Sequence, residues 1–297
     1  MIRKYIQFGV IAAVLTAMAL PAGAATKKKS RVSDPSPDPD AVAAITPKLD
    51  PSGATPRTRA ESVLVEDAVT GQVLYEKNAD QLRPPASTQK LLTALVILDA
   101  GNLNQRVRVE SSDTQVEEVK LGVKPGESYT RRELLQVLLV HSVNDVACVL
   151  ARDNAGGVEA FAQKMNAKAL ALGMRHSHFV NPNGLPAPDQ YSTARDMSRL
   201  ALAAYRSSTI RTIVATKVLF FQFANGRSAV FKNSNHVLRD YPYCNGMKTG
   251  YTQAAGHCLV SSGSNNGREV IAVVLGDRNR SWLWQDSCSL LAWGLSL

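Results

Sequence analysis

The alternation of apolar and polar positions predicts β-strands near both ends of the chain. Three pairs of alternating stretches each flank a short turn, and the turns contain Gly71, Gly226 and Gly267. The second and third turns are of the Asn-Gly kind, which is typical of β-hairpins. The predicted strand pairs are residues 62–66 with 72–77, 218–223 with 228–231, and 258–262 with 270–275.

Between these strands the pattern changes to helical spacing. Pro84-Pro85 blocks a helix before Ala86, and Gly101 ends the Leu- and Ala-rich stretch that follows. Thr130 and Glu133 form a capping-box sequence at the start of another helix. We therefore predict helices over 87–100, from 130 onward, over 158–172, from 193 onward, and over 282–295.

The order of these elements describes an α+β domain, because strands come first, helices lie in the middle and antiparallel strands come last. We expect the N-terminal hairpin to join the C-terminal strands in one antiparallel sheet beside a helical cluster. The predicted final helix closes the chain, and we expect neither an internal repeat nor a second domain after it.

The first 24 residues have the layout of a secretory signal peptide. Arg3 and Lys4 precede an apolar run over 5–20, and the small-residue triplet Ala22-Gly23-Ala24 follows it. The run is short for a bilayer span of about 20 residues, so an uncleaved anchor is the weaker alternative. We predict an exported protein of the periplasm or extracytoplasmic cell-wall space that keeps no stable membrane anchor.

Residues 25–60 differ in composition from the rest of the chain. They hold 6 of the 14 prolines and seven Lys or Arg against four Asp, which predicts a disordered, basic linker. The whole chain of 297 residues carries a net charge of +9, but only +4 remains for the predicted domain over 61–297. We therefore expect no nucleic-acid partner. With 45% hydrophobic and 20% charged residues, the chain has a globular composition.

The candidate chemistry begins with Ser87 and Lys90. A three-residue offset on a helix places the serine hydroxyl and the lysine amine on the same face. Serine needs a base to become a nucleophile, and lysine can serve when burial or a nearby cation keeps it neutral. A Ser-x-x-Lys sequence is expected about once by chance in a chain of this length. Its position at a helix start, after two prolines, is what favours catalysis.

Two further motifs follow in order. Ser142-Val143-Asn144 lies 55 residues after Ser87, and Lys248-Thr249-Gly250 lies 106 residues after Ser142. A Lys-Thr-Gly triplet is expected by chance roughly 0.1 times in such a chain. The order Ser-x-x-Lys, Ser-x-Asn, Lys-Thr-Gly is the signature of serine β-lactamases and penicillin-binding proteins.

With these motifs the chain resembles the serine D-Ala-D-Ala carboxypeptidases, the low-molecular-weight penicillin-binding proteins. The resemblance covers essentially all of 61–297 and departs at Gln89, where many members have Thr. It implies a β-lactamase/transpeptidase-like fold and an enzyme that removes the terminal D-Ala from peptidoglycan stem peptides through an acyl-enzyme. It also implies covalent inhibition by β-lactams and no cofactor. The stretches that carry it are 83–87, 181–185, 192–197, 233–235, 246–252 and 255–260.

The resemblance implies catalytic roles for three residues. Ser87 would attack the carbonyl of the D-Ala-D-Ala bond, and Lys90 would take its proton. Ser142 would pass a proton to the leaving amine. Lys248 would tune Ser142 and help to keep Lys90 neutral, because a like charge disfavours protonation.

Substrate binding is implied for the remaining motif residues. Asn144 would hydrogen-bond the peptide amide, while Lys248 and Thr249 would receive the terminal carboxylate. The backbone N–H of Tyr251 would complete an oxyanion hole with that of Ser87. The peptide would lie along the edge of the strand that contains Gly250.

Rival sites have weaker support. His141 lies beside Ser142, but no Gly-x-Ser-x-Gly elbow is present, so a packing or supporting role is favoured. The sequence His176-Ser177-His178 lacks a third nearby ligand, and the four cysteines form no C-x-x-C pair, so we expect no metal site. We expect mostly free, buried cysteines.

Other functions stay open beside the carboxypeptidase. A D,D-endopeptidase that cleaves peptidoglycan cross-links would use the same residues. The chain ends soon after Trp293, without the C-terminal domain and amphipathic anchor of many family carboxypeptidases. We therefore expect a soluble enzyme and give the endopeptidase somewhat more weight, although the carboxypeptidase stays the leading prediction. A β-lactamase is less favoured, because no Glu-x-x-Leu-Asn motif lies between Ser142 and Lys248. A catalytically silent wall-binding protein would have lost a motif, and all three are intact.

Overall fold

A five-stranded antiparallel sheet with the strand order β2-β1-β9-β8-β7 lies at the centre of the fold. The structure is a computed structural model that describes residues 45–117 and 119–297. The predicted signal peptide and the first part of the predicted linker lie outside the described residues. The strands of this sheet are β1 (Ser62–Asp67), β2 (Val73–Lys77), β7 (Cys244–Thr252), β8 (Gly256–Asn265) and β9 (Arg268–Asp277).

The predicted union of the N-terminal hairpin with the C-terminal strands is confirmed by the pairing of β1 with β9. This pairing runs from Ser62 opposite Leu275 to Asp67 opposite Val270. Side chains alternate between the two faces of a strand. Both faces are buried here, because the final helix covers one side and the helical cluster covers the other. A continuous apolar run such as that of β9 is what a doubly covered strand requires.

Eight helices are present among the described residues. Thr130 caps the second, as its Oγ1 accepts the N–H of Glu133 while the Glu133 carboxylate accepts the N–H of Thr130, which confirms the capping box. The helices are α1 (Lys90–Asp99), α2 (Arg131–His141), α3 (Asn144–Ala155), α4 (Val158–Ala171), α5 (Ala194–Arg206), α6 (Ser208–Val214), α7 (His236–Asp240) and α8 (Arg280–Ser296).

The central sheet takes in only part of the strands that follow the helices. β5 (Val218–Gln222) and β6 (Ser228–Lys232) form a separate two-stranded sheet, as do β3 (Arg106–Arg108) and β4 (Ser128–Thr130). The β5–β6 hairpin packs against α2, because its inward residues Leu219 and Phe221 belong to the core beside the helices. The middle hairpin therefore covers the helical cluster instead of extending the central sheet.

Two elements of the site region escape prediction from periodicity. β7 contains two glycines and lacks regular alternation, and its strand form depends on pairing with β8 from Cys244 to Thr252. α3 begins at Asn144 directly after the Ser-x-Asn motif, and its N-cap Val143 offers no side-chain oxygen. Tertiary contacts therefore decide both elements.

The described part of the predicted linker, residues 45–60, packs on the folded domain. Residues 45–60 contain no helix or strand, yet they lie against α8. Lys48 N–H donates to Ser289 Oγ at 2.9 Å, and Trp293 Nε1–H donates to Gly53 O at 3.0 Å. Pairing with polar groups on a folded helix satisfies this backbone in place of water.

Apolar contacts reinforce this strap, which we define as residues 45–60. Ile45 belongs to the core that also contains Trp284 and Trp293 beneath α8. Trp282 is more exposed, and the Arg59 guanidinium lies 5.1 Å from its ring. The three tryptophans thus pack within the chain itself. Among the described residues no helix is both long and apolar enough to cross a bilayer.

The buried Asp286 carboxylate fixes the end of the strap to α8. Its Oδ2 accepts the N–H of Arg59 at 2.6 Å and the hydroxyl of Thr58 at 3.1 Å, and its Oδ1 lies 3.2 Å from Arg59 Nη1. Asp286→Ala leaves these donors unpaired. We expect a loss of about 1–3 kcal/mol in the free energy of unfolding, measured by denaturant titration.

Asp99→Ala is the matched control, because the ion pair of Asp99 with Lys168 is exposed. We expect it to change the free energy of unfolding by less than about 0.5 kcal/mol. Equal effects of the two substitutions would contradict the anchoring role of Asp286.

Candidate active site

The three sequence motifs converge at one end of the central sheet. Ser87 lies in a single 3₁₀ turn, Ala86–Gln89, that leads directly into α1. Ser142 joins α2 to α3, and Lys248 lies within β7, at the edge of the central sheet. The glycine of Lys-Thr-Gly brings β7 against the 3₁₀ turn, because a Cβ at Gly250 would lie 2.9 Å from Ser87 N.

Ser87 and Lys90 are in direct contact. The Lys90 Nζ lies 2.7 Å from Ser87 Oγ, and Ser87 Oγ lies 3.2 Å from the carbonyl oxygen of Asn183. Ser87 is half-buried, whereas Lys90 is fully buried. The serine is therefore reachable from outside while the amine behind it is shielded.

Lys90 is held by oxygens that carry no formal charge. Besides Ser87, its Nζ donates to Asn144 Oδ1 at 2.8 Å and to the backbone carbonyl of Asn183. Burial, and then the positive charge of Lys248, hold the pKa of Lys90 well below its ordinary value of 10.5. The charges of Cys148 and Asp145 act in the opposite direction. The amine can therefore be neutral far more readily than a lysine in water.

Lys248 is a second buried lysine in the site. It is 1% exposed, and burial lowers its pKa to about 7. Its Nζ donates to the carbonyl oxygen of Thr249 at 3.1 Å. Its charge also contributes, after burial, to a lowered pKa of His141. Lys248 therefore faces both Lys90 and the end of α2.

The Ser-x-Asn motif turns the chain between two helices. Ser142 has φ +70°, a left-handed conformation, and its N–H donates to Leu138 O at 3.1 Å to close α2. This turn starts α3 at Asn144, whose Oδ1 meets Lys90 and whose Nδ2 donates to Glu117 O at 3.2 Å. Asn144 is thus engaged with the amine before any substrate arrives.

Tight backbone packing fixes the 3₁₀ turn. Ala86, directly before the serine, has φ +49°. Gly184 supports this strained residue, since a Cβ at position 184 would lie 2.2 Å from Ala86 O. Gly184 itself has φ +85°, so no L side chain fits there by space or by conformation. The segment that contains Gly184 therefore packs directly against the backbone of Ala86 and Ser87.

Two residues of the site have no predicted role from the sequence. Asn183 is one, because its backbone carbonyl oxygen accepts hydrogen bonds from both Ser87 Oγ and Lys90 Nζ. Ser234 is the other: its Oγ lies 2.6 Å from Thr249 Oγ1, and its N–H donates to Val140 O, which ties α2 to β7. Both lie in stretches that resemble the carboxypeptidases, and that resemblance is the signal that could have found them.

The rival groupings do not compete with this site. The His141 ring packs 4.5 Å from that of Phe231, as expected of a packing residue. All four cysteines are free; Cys148 is half-buried and the other three are buried. Within the described parts of the chain, no group of three or more His, Cys, Asp or Glu could hold a metal ion.

Gln89, the departure from the family pattern, points away from the nucleophile. Its side chain is buried and its Nε2 donates to Asn181 O. It therefore braces the segment that contains Asn183.

Comparison with known proteins decides the family. A family model described as D-alanyl-D-alanine carboxypeptidase matches residues 50–279, most of the chain. The chain belongs to this family. In this carboxypeptidase family member, all three motifs meet at one site, with Lys90 between Ser87 and Asn144.

Individual relatives include enzymes of two specificities. The D-alanyl-D-alanine carboxypeptidase DacB2 of Mycobacterium tuberculosis is 38% identical over 256 residues, which cover 84% of this chain and 87% of that protein. The D-alanyl-D-alanine endopeptidase of Escherichia coli is 35% identical over 246 residues, 82% of this chain and 79% of that protein.

Solved structures agree with the predicted fold class. A D-alanyl-D-alanine carboxypeptidase from M. tuberculosis superposes with a TM-score of 0.78 at 37% identity, and covers 84% of this chain and 97% of that one. The DD-transpeptidase of Streptomyces K15 gives 0.78 at 30% identity, with 82% and 100% covered. The prediction of an α+β, transpeptidase-like fold is therefore confirmed.

The burial of Lys248 should cost this family member stability. The ordinary pKa of 10.5 and the folded value of about 7 mean that the unfolded chain binds more protons between these pH values. Folding therefore becomes more favourable as pH rises through that range. We expect Lys248→Met to raise the free energy of unfolding by about 1–4 kcal/mol at pH 7, and by less at pH 10.

Denaturant titrations at the two pH values measure both quantities. A variant less stable than the natural chain at pH 7, or a difference that grows toward pH 10, would contradict the assigned cost of burying this lysine.

Proposed function

We propose that this protein is a serine-type D-alanyl-D-alanine carboxypeptidase that removes the terminal D-Ala from peptidoglycan stem peptides. The observation that carries the proposal is the 2.7 Å contact between Ser87 Oγ and a fully buried Lys90 with a lowered pKa. A serine beside a neutral amine can lose its proton as it attacks a carbonyl. The family membership supports the choice of substrate.

In the first half of the reaction Ser87 forms the acyl-enzyme. Its Oγ bonds to the carbonyl carbon of the D-Ala-D-Ala bond while Lys90 Nζ accepts its proton. The negative charge on the carbonyl oxygen is received by the backbone N–H groups of Ser87 and Tyr251. The C–N bond then breaks while Ser142 passes a proton to the amine and regains one from Lys90, so that free D-Ala leaves and Lys90 is neutral again.

Water completes the cycle in the second half. It attacks the ester carbonyl, the bond to Ser87 Oγ breaks, and the proton returns to that oxygen. Lys90 is placed to take the proton from water, because it is held in the same position by Asn144 and Asn183. The free enzyme is regenerated, and the proposed reaction sequence uses no cofactor.

Charged and polar groups on β7 support recognition of the substrate's terminal carboxylate. Lys248 supplies positive charge, and Thr249 supplies a hydroxyl that Ser234 positions at 2.6 Å. Gly250 allows the strand edge to approach the acylated serine. Asn144 binds the peptide amide once its Nδ2 exchanges the contact with Glu117 O.

The same site accounts for inhibition by β-lactams and for a place of action in the extracytoplasmic cell-wall space. A β-lactam offers Ser87 a comparable amide carbonyl to attack, and its carboxylate would bind at Lys248 and Thr249. Peptidoglycan lies outside the cytoplasmic membrane, so this function requires the export that the N-terminal sequence predicts.

A D,D-endopeptidase is the second candidate. The endopeptidase of Escherichia coli is 35% identical and is aligned over 79% of its length, comparable with the carboxypeptidase relative. Both reactions break an acyl-D-Ala bond, so the residues described here serve either one. What differs is the molecule that supplies the leaving amine, which is free D-Ala for the carboxypeptidase and a second stem peptide for the endopeptidase.

Product analysis by mass spectrometry distinguishes the candidates. We expect a pentapeptide muropeptide to lose one D-Ala, and release of monomers from a cross-linked dimer would instead identify an endopeptidase. Ser87→Ala is the control, because it removes the attacking oxygen: we expect no penicillin adduct in its intact mass and no turnover. Adduct formation by Ser87→Ala would refute the nucleophile, and no product from either muropeptide would refute both functions.

The pH dependence of acylation tests Lys90 as the base. Because the base must be neutral, the acylation rate by penicillin should rise with pH to a plateau. The midpoint should lie well below 10.5, since the pKa of Lys90 is lowered by burial and by Lys248. In Lys248→Met the midpoint should move to higher pH, because the repelling charge is gone. A midpoint that stays in place or falls would contradict the coupling of the two lysines.

A further inference from the structure

An open pocket of about 400 Å³ adjoins the active site at Tyr251. It lies between the β7–β8 turn and the end of β9, and Gln253 and Arg278 contribute to its walls. Tyr251 is 59% exposed and its ring stacks on His257, with 4.3 Å between the ring centres. The volume is within the range of pockets that hold small ligand groups. The mechanism proposed above uses no side chain of this pocket.

The Arg83 guanidinium lines the pocket without a partner. Arg83 is half-buried, and its Nε is buried with no hydrogen-bond partner. Among the described residues its side chain forms no ion pair or hydrogen bond. Only its backbone is engaged, in a two-way bridge with Ser192. An unpaired guanidinium that lines a pocket is an unusual arrangement, because buried charges are normally paired.

The fold makes specific room for this guanidinium. A Cβ at Gly276 would lie 2.5 Å from Arg83 Nη2, and Gly276 has φ +79°. Any larger residue at 276 would therefore occupy the space of the guanidinium. The end of β9 is thus shaped around Arg83.

The charged residues that line the pocket are two arginines, Arg83 and Arg278, and two carboxylates, Glu61 and Asp277. At the rim, Arg278 is 84% exposed and its Nη2 lies 3.4 Å from Glu61 Oε1. Asp277 also lines the pocket, but it is fully buried and its unpartnered Oδ2 is closed off from solvent. Glu61 is paired with Arg278 and, among the described residues, Asp277 forms no ion pair with Arg83, so the Arg83 guanidinium is the cation left without a carboxylate partner.

We propose that this pocket binds a carboxylate on the acyl part of the stem peptide, upstream of the scissile bond. The inference rests on the proposed function, which fixes the direction of the peptide. The terminal carboxylate lies at Lys248 and Thr249, and the attacked carbonyl lies at Tyr251. The acyl chain therefore continues beyond Tyr251, toward Gln253 and the pocket. A planar guanidinium can bind a carboxylate through two parallel hydrogen bonds.

A matched pair of substrates tests the subsite. Each is an acyl-X-D-Ala-D-Ala peptide in which the side chain of X ends either in a carboxylate or in the corresponding carboxamide, with two to four methylene groups. We expect the natural enzyme to prefer the carboxylate about tenfold or more in kcat/KM at the length that reaches Arg83. In Arg83→Gln this ratio should fall to near one.

Two variants separate a specific effect from a general one. Arg132→Gln also removes a positive charge, but Arg132 lies in the first turn of α2 and Ser142 follows the last turn of that helix. This variant should keep the full preference for the carboxylate substrate. Arg83→Lys keeps the positive charge but lacks the planar guanidinium, so it should keep part of the preference for the carboxylate substrate. Penicillin acylation, titrated for each variant, gives the concentration of competent enzyme and guards against misfolding.

The outcomes are distinct from those of the proposed function. Absence of a carboxylate preference at every side-chain length, or a preference that survives Arg83→Gln, overturns the subsite while D-Ala release from the carboxamide substrates still supports the carboxypeptidase. Absence of D-Ala release from all substrates overturns the proposed function itself.

Discussion

The ammonium group of Lys90 is buried beneath Ser87 and is surrounded by neutral oxygens of Ser87, Asn144 and Asn183. Transfer of a charged amine from water into such a place is costly, so the fold favours the neutral form. Each of the surrounding elements has a part in keeping the amine there. α1 carries it, the Ser142 turn brings Asn144 to it, and the segment around Gly184 brings the Asn183 carbonyl.

Lys248 adds to the free-energy cost of this site, because it is a second buried amine near Lys90 and burial lowers its pKa to about 7. The two lysines repel each other when both are protonated, which further favours a neutral Lys90. Such a pair destabilises the folded chain, and the large apolar cores on both faces of the sheet offset that cost. Function thus draws on stability supplied elsewhere in the fold, including the strap on α8.

Much of the fold could be predicted because many of its helices and strands are specified by short stretches of sequence. The β1–β2 hairpin, the capping box at Thr130 and the helix that ends near Gly173 follow from periodicity and capping chemistry. β7 could not be predicted in this way, since its glycines disfavour a strand and only pairing with β8 compensates. The contacts of the strap could not be predicted either, since its polar, Pro-rich composition is that of a linker and its partners lie on a helix more than two hundred residues away.

The sequence by itself predicted a candidate nucleophile and base and determined the order of the three motifs, because residue type and short spacing are local properties. Only the tertiary structure decided that Lys90 is shielded from water, which atoms Asn183 and Ser234 contact in the site, and that the Arg83 side chain lies unpaired in the pocket that Tyr251 lines. These facts depend on which distant segments meet and on what they exclude from solvent. Burial and charge pairing are properties of the packed chain, so no reading of spacing along the sequence could supply them.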